Sequence, residues 1–114
     1  MKFEKFEEIK AWQTAKEIVL ELNKIFIDNR DFDFRRQILR AAISIMNNIA
    51  EGYERQSNNE FRQFLYIAKG SCAEVRSMLY IAKELNYIKE QEFIDLAEKA
   101  IHISRMLSNL IKTL

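Results

Sequence analysis

Apolar residues return at steps of three and four over four separate stretches of this chain, the spacing that lines one face of a helix. In the first stretch Ile9, Trp12, Ala15, Val19, Leu22 and Phe26 predict a helix over about Phe6–Asn29, with Trp12 as a core anchor. The polar cluster Asp28-Asn29-Arg30-Asp31 breaks the pattern as a short turn. The second stretch has Phe34, Ile38, Ala41, Ile45 and Ile49 as its main stripe and predicts a helix from near Asp33 to about Arg55. Leu39, Ala42, Ile43, Met46 and Ala50 widen its apolar side to roughly half the circumference, whereas a surface helix usually needs an arc of only about 100°. The excess predicts two buried faces, one in the bundle and one against another chain. In the third and longest stretch, about Asn58–Asn86, Phe61, Leu65, Ala68, Cys72, Val75, Leu79 and Ala82 alternate strictly by four and three, the seam of a left-handed helix bundle. Phe64, Ile67, Met78, Ile81 and Leu85 flank that seam. The fourth helix, from about Glu90 to near the end, carries Phe93, Ala97, Ala100, Ile103, Leu107, Leu110 and Leu114. Short connections favour antiparallel neighbours. The expected fold is therefore all-α, an up-and-down antiparallel four-helix bundle forming one domain over residues 1–114.

The breaks agree with this division. Ser57 followed by Glu60 forms a capping box that starts the third helix. Gly52 relaxes the end of the second helix or admits a close neighbour. There is no proline and there are only two glycines, Gly52 and Gly70, which suits a nearly all-helical chain.

Two polar features remain. Gln37, Arg40, Ser44, Asn47, Asn48 and Glu51 share one strip of the second helix and are mostly uncharged. The strip reads either as a hydrogen-bonded contact with another helix or subunit, or as a mixed solvent face. On the third helix Arg62, Lys69, Arg76 and Lys83 recur every seven residues, Arg55 extends the row backward, and Tyr66, Tyr80 and Tyr87 stand four residues after members of it. Such a row can hold a phosphate backbone and stack bases. Its plainer reading is a solvated face with snorkelling side chains.

Composition narrows the chemistry. With 18 basic and 17 acidic residues the net charge is +1, so any pull toward nucleic acid must be local. Cys72, the lone cysteine, lies in the third-helix seam and reads as a small buried hydrophobe; no internal disulfide can form, and a reducing cytoplasm is expected. The N-terminal stretch lacks the apolar run of a signal peptide, and no window suits a membrane span. There is no phosphate loop, zinc-protease helix motif or nucleophile elbow, and His102 has no second ligand at metal spacing. No catalytic residue, metal site or cofactor is expected.

The blocks W-Q-x-A at Trp12–Ala15, Q-I-L-R-A-A-I-S-I-M-N-N-I-A-E-G at Gln37–Gly52, E-F-R-Q-F-L-Y-I-A-K-G-S at Glu60–Ser71, Glu74, and L-N-Y-I at Leu85–Ile88 resemble the four-helix-bundle proteins encoded in intervening sequences of bacterial 23S ribosomal RNA genes. The fold is similar to that of the accessory variability protein of diversity-generating retroelements, which works with a reverse transcriptase. The resemblance implies a cyclic homopentamer, no known enzymatic activity and a suspected role in nucleic-acid binding. The family's polar positions fall on Gln37, Arg40, Ser44, Asn48, Glu51, Gly52, Gly70, Ser71 and Glu74, in an interface or structural role. At Asn29–Phe34 this chain has Asn-Arg-Asp-Phe-Asp-Phe where relatives tend to have a proline-containing turn.

The expected function is that of a non-enzymatic homo-oligomer binding nucleic acid, RNA in preference to DNA. Arg36, Arg40, Arg55, Arg62, Lys69 and Arg76 would carry the phosphate contacts. The alternative is a protein-interaction scaffold, such as an accessory subunit for a reverse transcriptase or another nucleic-acid enzyme. A more remote one is an enzyme whose site forms between subunits.

Overall fold

A computed structural model describes residues 3–114. A short 3-10 turn, Phe6–Glu8, precedes four helices: α1 (Lys10–Phe26), α2 (Phe32–Tyr53), α3 (Asn58–Glu84) and α4 (Glu90–Lys112). Each helix packs on the next, and α4 closes against α1. Contacts between α3 and α4 run in opposite directions along the two helices: Lys83 meets Glu90 while Lys69 meets Ser108. The body measures 42 × 22 × 19 Å, one helix long and two helices across.

The α3 seam is buried as the four-three alternation requires, from Phe61 to Ala82. In α2, Ile38, Ala41, Ile45 and Ile49 are buried as expected, joined by Ala42 and Gly52, while Phe34 is half-buried. The α1 stripe is set differently. Its buried line is Ala11, Ala15, Ile18, Leu22 and Phe26. Trp12 is half-buried, edge-on to Phe6 at 5.3 Å with Lys16 lying over its ring, and Val19 is likewise half-buried. Residues 6–9 do not extend α1: Ile9 has extended backbone and the chain ahead of it folds as the separate 3-10 turn. Tyr53 pins this segment by donating its hydroxyl to the Phe3 carbonyl at 2.6 Å.

Two turns meet at one end of the bundle. Asp31 caps α2 by accepting from the Phe34 amide at 3.2 Å, and its other carboxylate oxygen accepts from the Tyr87 hydroxyl at 2.7 Å. Phe26, Phe34 and Tyr87 pack ring to ring around that link. α3 stops at Glu84 because Asn86 adopts φ 60°, the left-handed region that asparagine tolerates best after glycine. Tyr87 therefore belongs to this end cluster and does not stand beside the basic row. At the other end Ser57 accepts from the Glu60 amide at 3.2 Å, and its hydroxyl, in place of its own amide, meets the Glu60 carboxylate.

At Gly52 α2 comes close to α3. A Cβ there would lie 2.6 Å from Phe64 Cβ and 3.0 Å from Phe61 Cδ1. Cys72 sits in the adjoining core, where burial pushes its thiol up to about 12 from 9.0. It is an inert packing residue.

Candidate nucleic-acid interface

The polar strip of α2 divides in two. Ser44 and Asn48 turn toward α3: Ser71 Oγ donates to Ser44 Oγ at 2.9 Å, and Asn48 Nδ2 donates to Ser44 Oγ at 2.9 Å and to the Ser44 carbonyl at 2.8 Å. This cluster joins two helices of the same chain, which satisfies polar groups at the edge of the core. Gln37, Arg40, Asn47 and Glu51 are exposed. Gln37 and Arg40 line a shallow α2/α3 groove with Asp33, Arg36 and Glu74. Its two arginines share the groove with two carboxylates, and Arg36 is paired with Asp33 at 2.6 Å.

The six cations singled out in the sequence therefore do not form one surface. Arg36 and Arg40 lie in the mixed α2/α3 groove. Arg55 lies beyond the end of α2, 3.0 Å from Glu51 and 4.0 Å from Glu60, with its guanidinium over the Phe64 ring. Two carboxylates offset its charge. Arg62 donates to the side chain of Asn59, one turn back at 2.6 Å. Lys83, at the far end of the row, meets Glu90 at 3.4 Å and covers the Phe93 ring.

Lys69 and Arg76 are different. They border the groove between α3 and α4, together with Ile101, Ser104, Arg105, Ser108 and Asn109 of α4. The lining holds three cations and no carboxylate. Lys69 donates to Ser108 Oγ, which fixes its ammonium along the groove without neutralising it. Arg105 completes the group. Sequence reasoning misses it because the heptad row runs along α3, and only the antiparallel pairing of α3 and α4 brings position 105 into the groove that positions 69 and 76 border. Tyr66 and Tyr80, four residues after Arg62 and Arg76, are 57% and 56% exposed at the outer edge of α3.

The other flank of α4 has the opposite sign. Glu21, Asp95, Glu98, Lys99 and His102 line a groove against α1, where Lys99 bridges Glu21 at 2.7 Å and Glu17 at 3.4 Å. The Glu21 hydrogen bond holds the Lys99 ammonium above its usual range, against the opposing pull of burial. The net charge of +1 thus conceals a basic flank and an acidic one.

A third surface carries exposed apolar residues. Ile67 and Ile81 on α3, Leu85 just past its end and Ile43 on α2 are exposed, with Glu74 between Ile67 and Ile81, and Gly70 has no heavy atom within 4 Å of where a Cβ would stand. Leu39 and Met46, by contrast, are partly buried against the chain's own core. Among the described residues no helix is long and apolar enough to cross a membrane.

The family model described as 23S rRNA-intervening sequence protein matches residues 7–109. The fold is similar to a solved structure from Bacteroides thetaiotaomicron VPI-5482, a protein of unknown function from the S23 ribosomal protein family. The two are 24% identical with a TM-score of 0.83, over 90% of this chain and 98% of that one, a likeness that speaks to fold. No curated protein matches the chain.

Proposed function

The chain belongs to the 23S rRNA-intervening sequence protein family, and from that premise we propose that it is a non-enzymatic, oligomeric nucleic-acid-binding protein, with RNA as the preferred ligand. One observation carries the reading: Lys69, Arg76 and Arg105 converge on a single groove that contains no carboxylate. A phosphate backbone laid there meets three cations and the polar groups of Ser104, Ser108 and Asn109, and binding releases the counterions that both partners held. Arg62 continues the row toward the N-terminal end of α3. Arg36, Arg40 and Arg55 stand apart in mixed or paired surroundings and would contribute less.

Assembly belongs to the same proposal. Ile43, Ile67, Ile81 and Leu85 are exposed on the α2/α3 side, away from the basic groove and around Glu74 of the mixed groove, and this is the surface on which a second copy would sit. Closure of such contacts into a ring, the pentamer that the family resemblance implies, would repeat the groove around the assembly and multiply its affinity.

Fluorescence anisotropy with a structured RNA, across a salt series, tests the reading. Three phosphate contacts per protomer predict a log–log salt slope of about −2 to −3 for each protomer engaged. Arg76→Glu with Arg105→Glu should abolish binding, and Arg36→Glu, whose charge Asp33 already offsets, should have a small effect. Absence of binding in low salt, both to this RNA and to an unpaired oligonucleotide, would overturn the proposal. Light scattering on Ile67→Glu and Ile81→Glu variants tests assembly: loss of the oligomer is expected, and a wild-type chain that is a monomer would refute it.

A further inference from the structure

The groove and its neighbours also bear on the form of nucleic acid. We propose that the α3/α4 surface takes a single strand, with the phosphates against Lys69, Arg76 and Arg105 and the bases turned outward onto Tyr66 and Tyr80. This rests on the nucleic-acid reading above and goes one step further.

The first argument is width. The groove lies between two packed helices whose axes are about 8–10 Å apart. Ser104 and Ser108 line it together with the cations. With the helices in packing contact, and Lys69 bonded to Ser108 across their seam, the groove is a notch between two helix crests; one sugar–phosphate chain can lie along such a notch, whereas a duplex would rest on the crests.

The second argument is the placement of the tyrosines. Both rings are more than half exposed, at 57% and 56%, and by helical spacing both lie on the solvent side of the basic row. Tyr80 is held in place by edge contact with Phe93 at 5.1 Å, so a base that stacks on it meets a ring already positioned. Between Tyr66 and Tyr80 the surface is low: Gly70 has open space around it and Ala73 is small and exposed. The helix rise places the two rings about 21 Å apart along α3, with Lys69 and Arg76 between them. Bases in a duplex are stacked on one another and offer no free face, so two exposed tyrosines beside a phosphate track would be idle there. In a single strand every base has a free π-face, and stacking on an aromatic side chain is tolerant of sequence.

The test compares a labelled oligouridylate of twelve nucleotides with a blunt RNA duplex of equal length, at matched salt, by anisotropy. The single strand should bind at least tenfold more tightly. Tyr66→Ala and Tyr80→Ala should each weaken single-strand binding by about tenfold and leave the salt slope unchanged, since no cation is lost. Tyr66→Phe and Tyr80→Phe should restore it. Both positions are exposed, and circular dichroism of the variants verifies that the bundle is intact. If the duplex binds as well as the single strand, or if the alanine variants bind normally while Arg76→Glu with Arg105→Glu does not, this inference falls and the nucleic-acid reading stands. If neither RNA binds in low salt, both fall together.

Discussion

Replacing Gly52 by alanine should loosen the bundle, although alanine is the better helix former. The new methyl would lie 2.6 Å from Phe64 Cβ and 3.0 Å from Phe61 Cδ1. Carbon atoms are comfortable at about 3.5–4.0 Å, so a separation of roughly 1 Å must be found. Phe64 Cβ is bonded to the α3 backbone and cannot swing away, so the helices themselves must part. α2 and α3 form the most extensive helix pair in the molecule, and a shift at Gly52 is felt along it. Overpacking of this kind costs about 1–3 kcal/mol. The helix-propensity gain of up to ~1 kcal/mol offsets part of this, and less than its full value applies in the last turn of α2. A net loss of about 1–2 kcal/mol should lower the melting temperature by roughly 4–8 °C. Gly70→Ala is the internal control. It has no heavy atom within 4 Å to strike, so the propensity gain of about 1 kcal/mol should appear undiminished and raise the melting temperature. Thermal melts at a fixed chain concentration, supported by urea titrations, compare the three proteins. A Gly52→Ala protein as stable as wild type, or more so, would refute the close approach.

Asp31→Ala removes both the α2 cap and the acceptor for the Tyr87 hydroxyl, and should cost about 1–2 kcal/mol by urea denaturation; Asp31→Asn, which keeps an acceptor oxygen, should recover most of it. Stability should fall in alkali because the folded protein holds the Cys72 proton up to about 12, above the 9.0 of an exposed thiol. That contribution is complete below pH 9.0 and is lost as pH rises through the folded value, at up to ~1.4 kcal/mol per pH unit. Cys72→Ala, measured by urea denaturation at pH 8 to 11, should show the shallower decline; parallel curves would contradict the buried thiol.

The α3 seam could be read from the chain because each of its seven apolar positions obeys one alternation and no competing stripe shares them. On α1 two stripes fit the same spacing. Leu22, Phe26 and Ala15 belong to both, and the bulk of Trp12 and Val19 favoured the line that the fold leaves half-buried, while Ala11 offers little hydrophobic signal. Tyr87 was misplaced for a local reason: extending the helix past Lys83 puts it beside the basic row, but Asn86 turns the backbone at φ 60° and sends the ring to Asp31. The signal was present in the asparagine itself. Arg105 had no such signal. Its partners are 29 and 36 residues away in sequence, at Arg76 and Lys69, and only helix pairing brings them together. The polar strip of α2 gave its spacing but not its division, which depends on Ser71 facing Ser44 across the α2/α3 contact.

The opposed charges on the two flanks of α4 make the apparent charge of the molecule depend on the medium. Electric fields in water reach about 8 Å at physiological ionic strength and about 30 Å at 0.01 M salt. The two flanks belong to one helix, whose diameter with side chains is about 10–12 Å, a little more than the shorter length and well under the longer. A polyanion against the Lys69–Arg76–Arg105 flank at physiological salt therefore feels Glu21, Asp95 and Glu98 only in weakened form, across the width of α4. In dilute buffer the field of both flanks reaches it, and the sum is close to the net +1 of the whole chain. Ion-exchange retention in dilute buffer reports that sum, while a ligand at physiological salt weights the near flank over the far one.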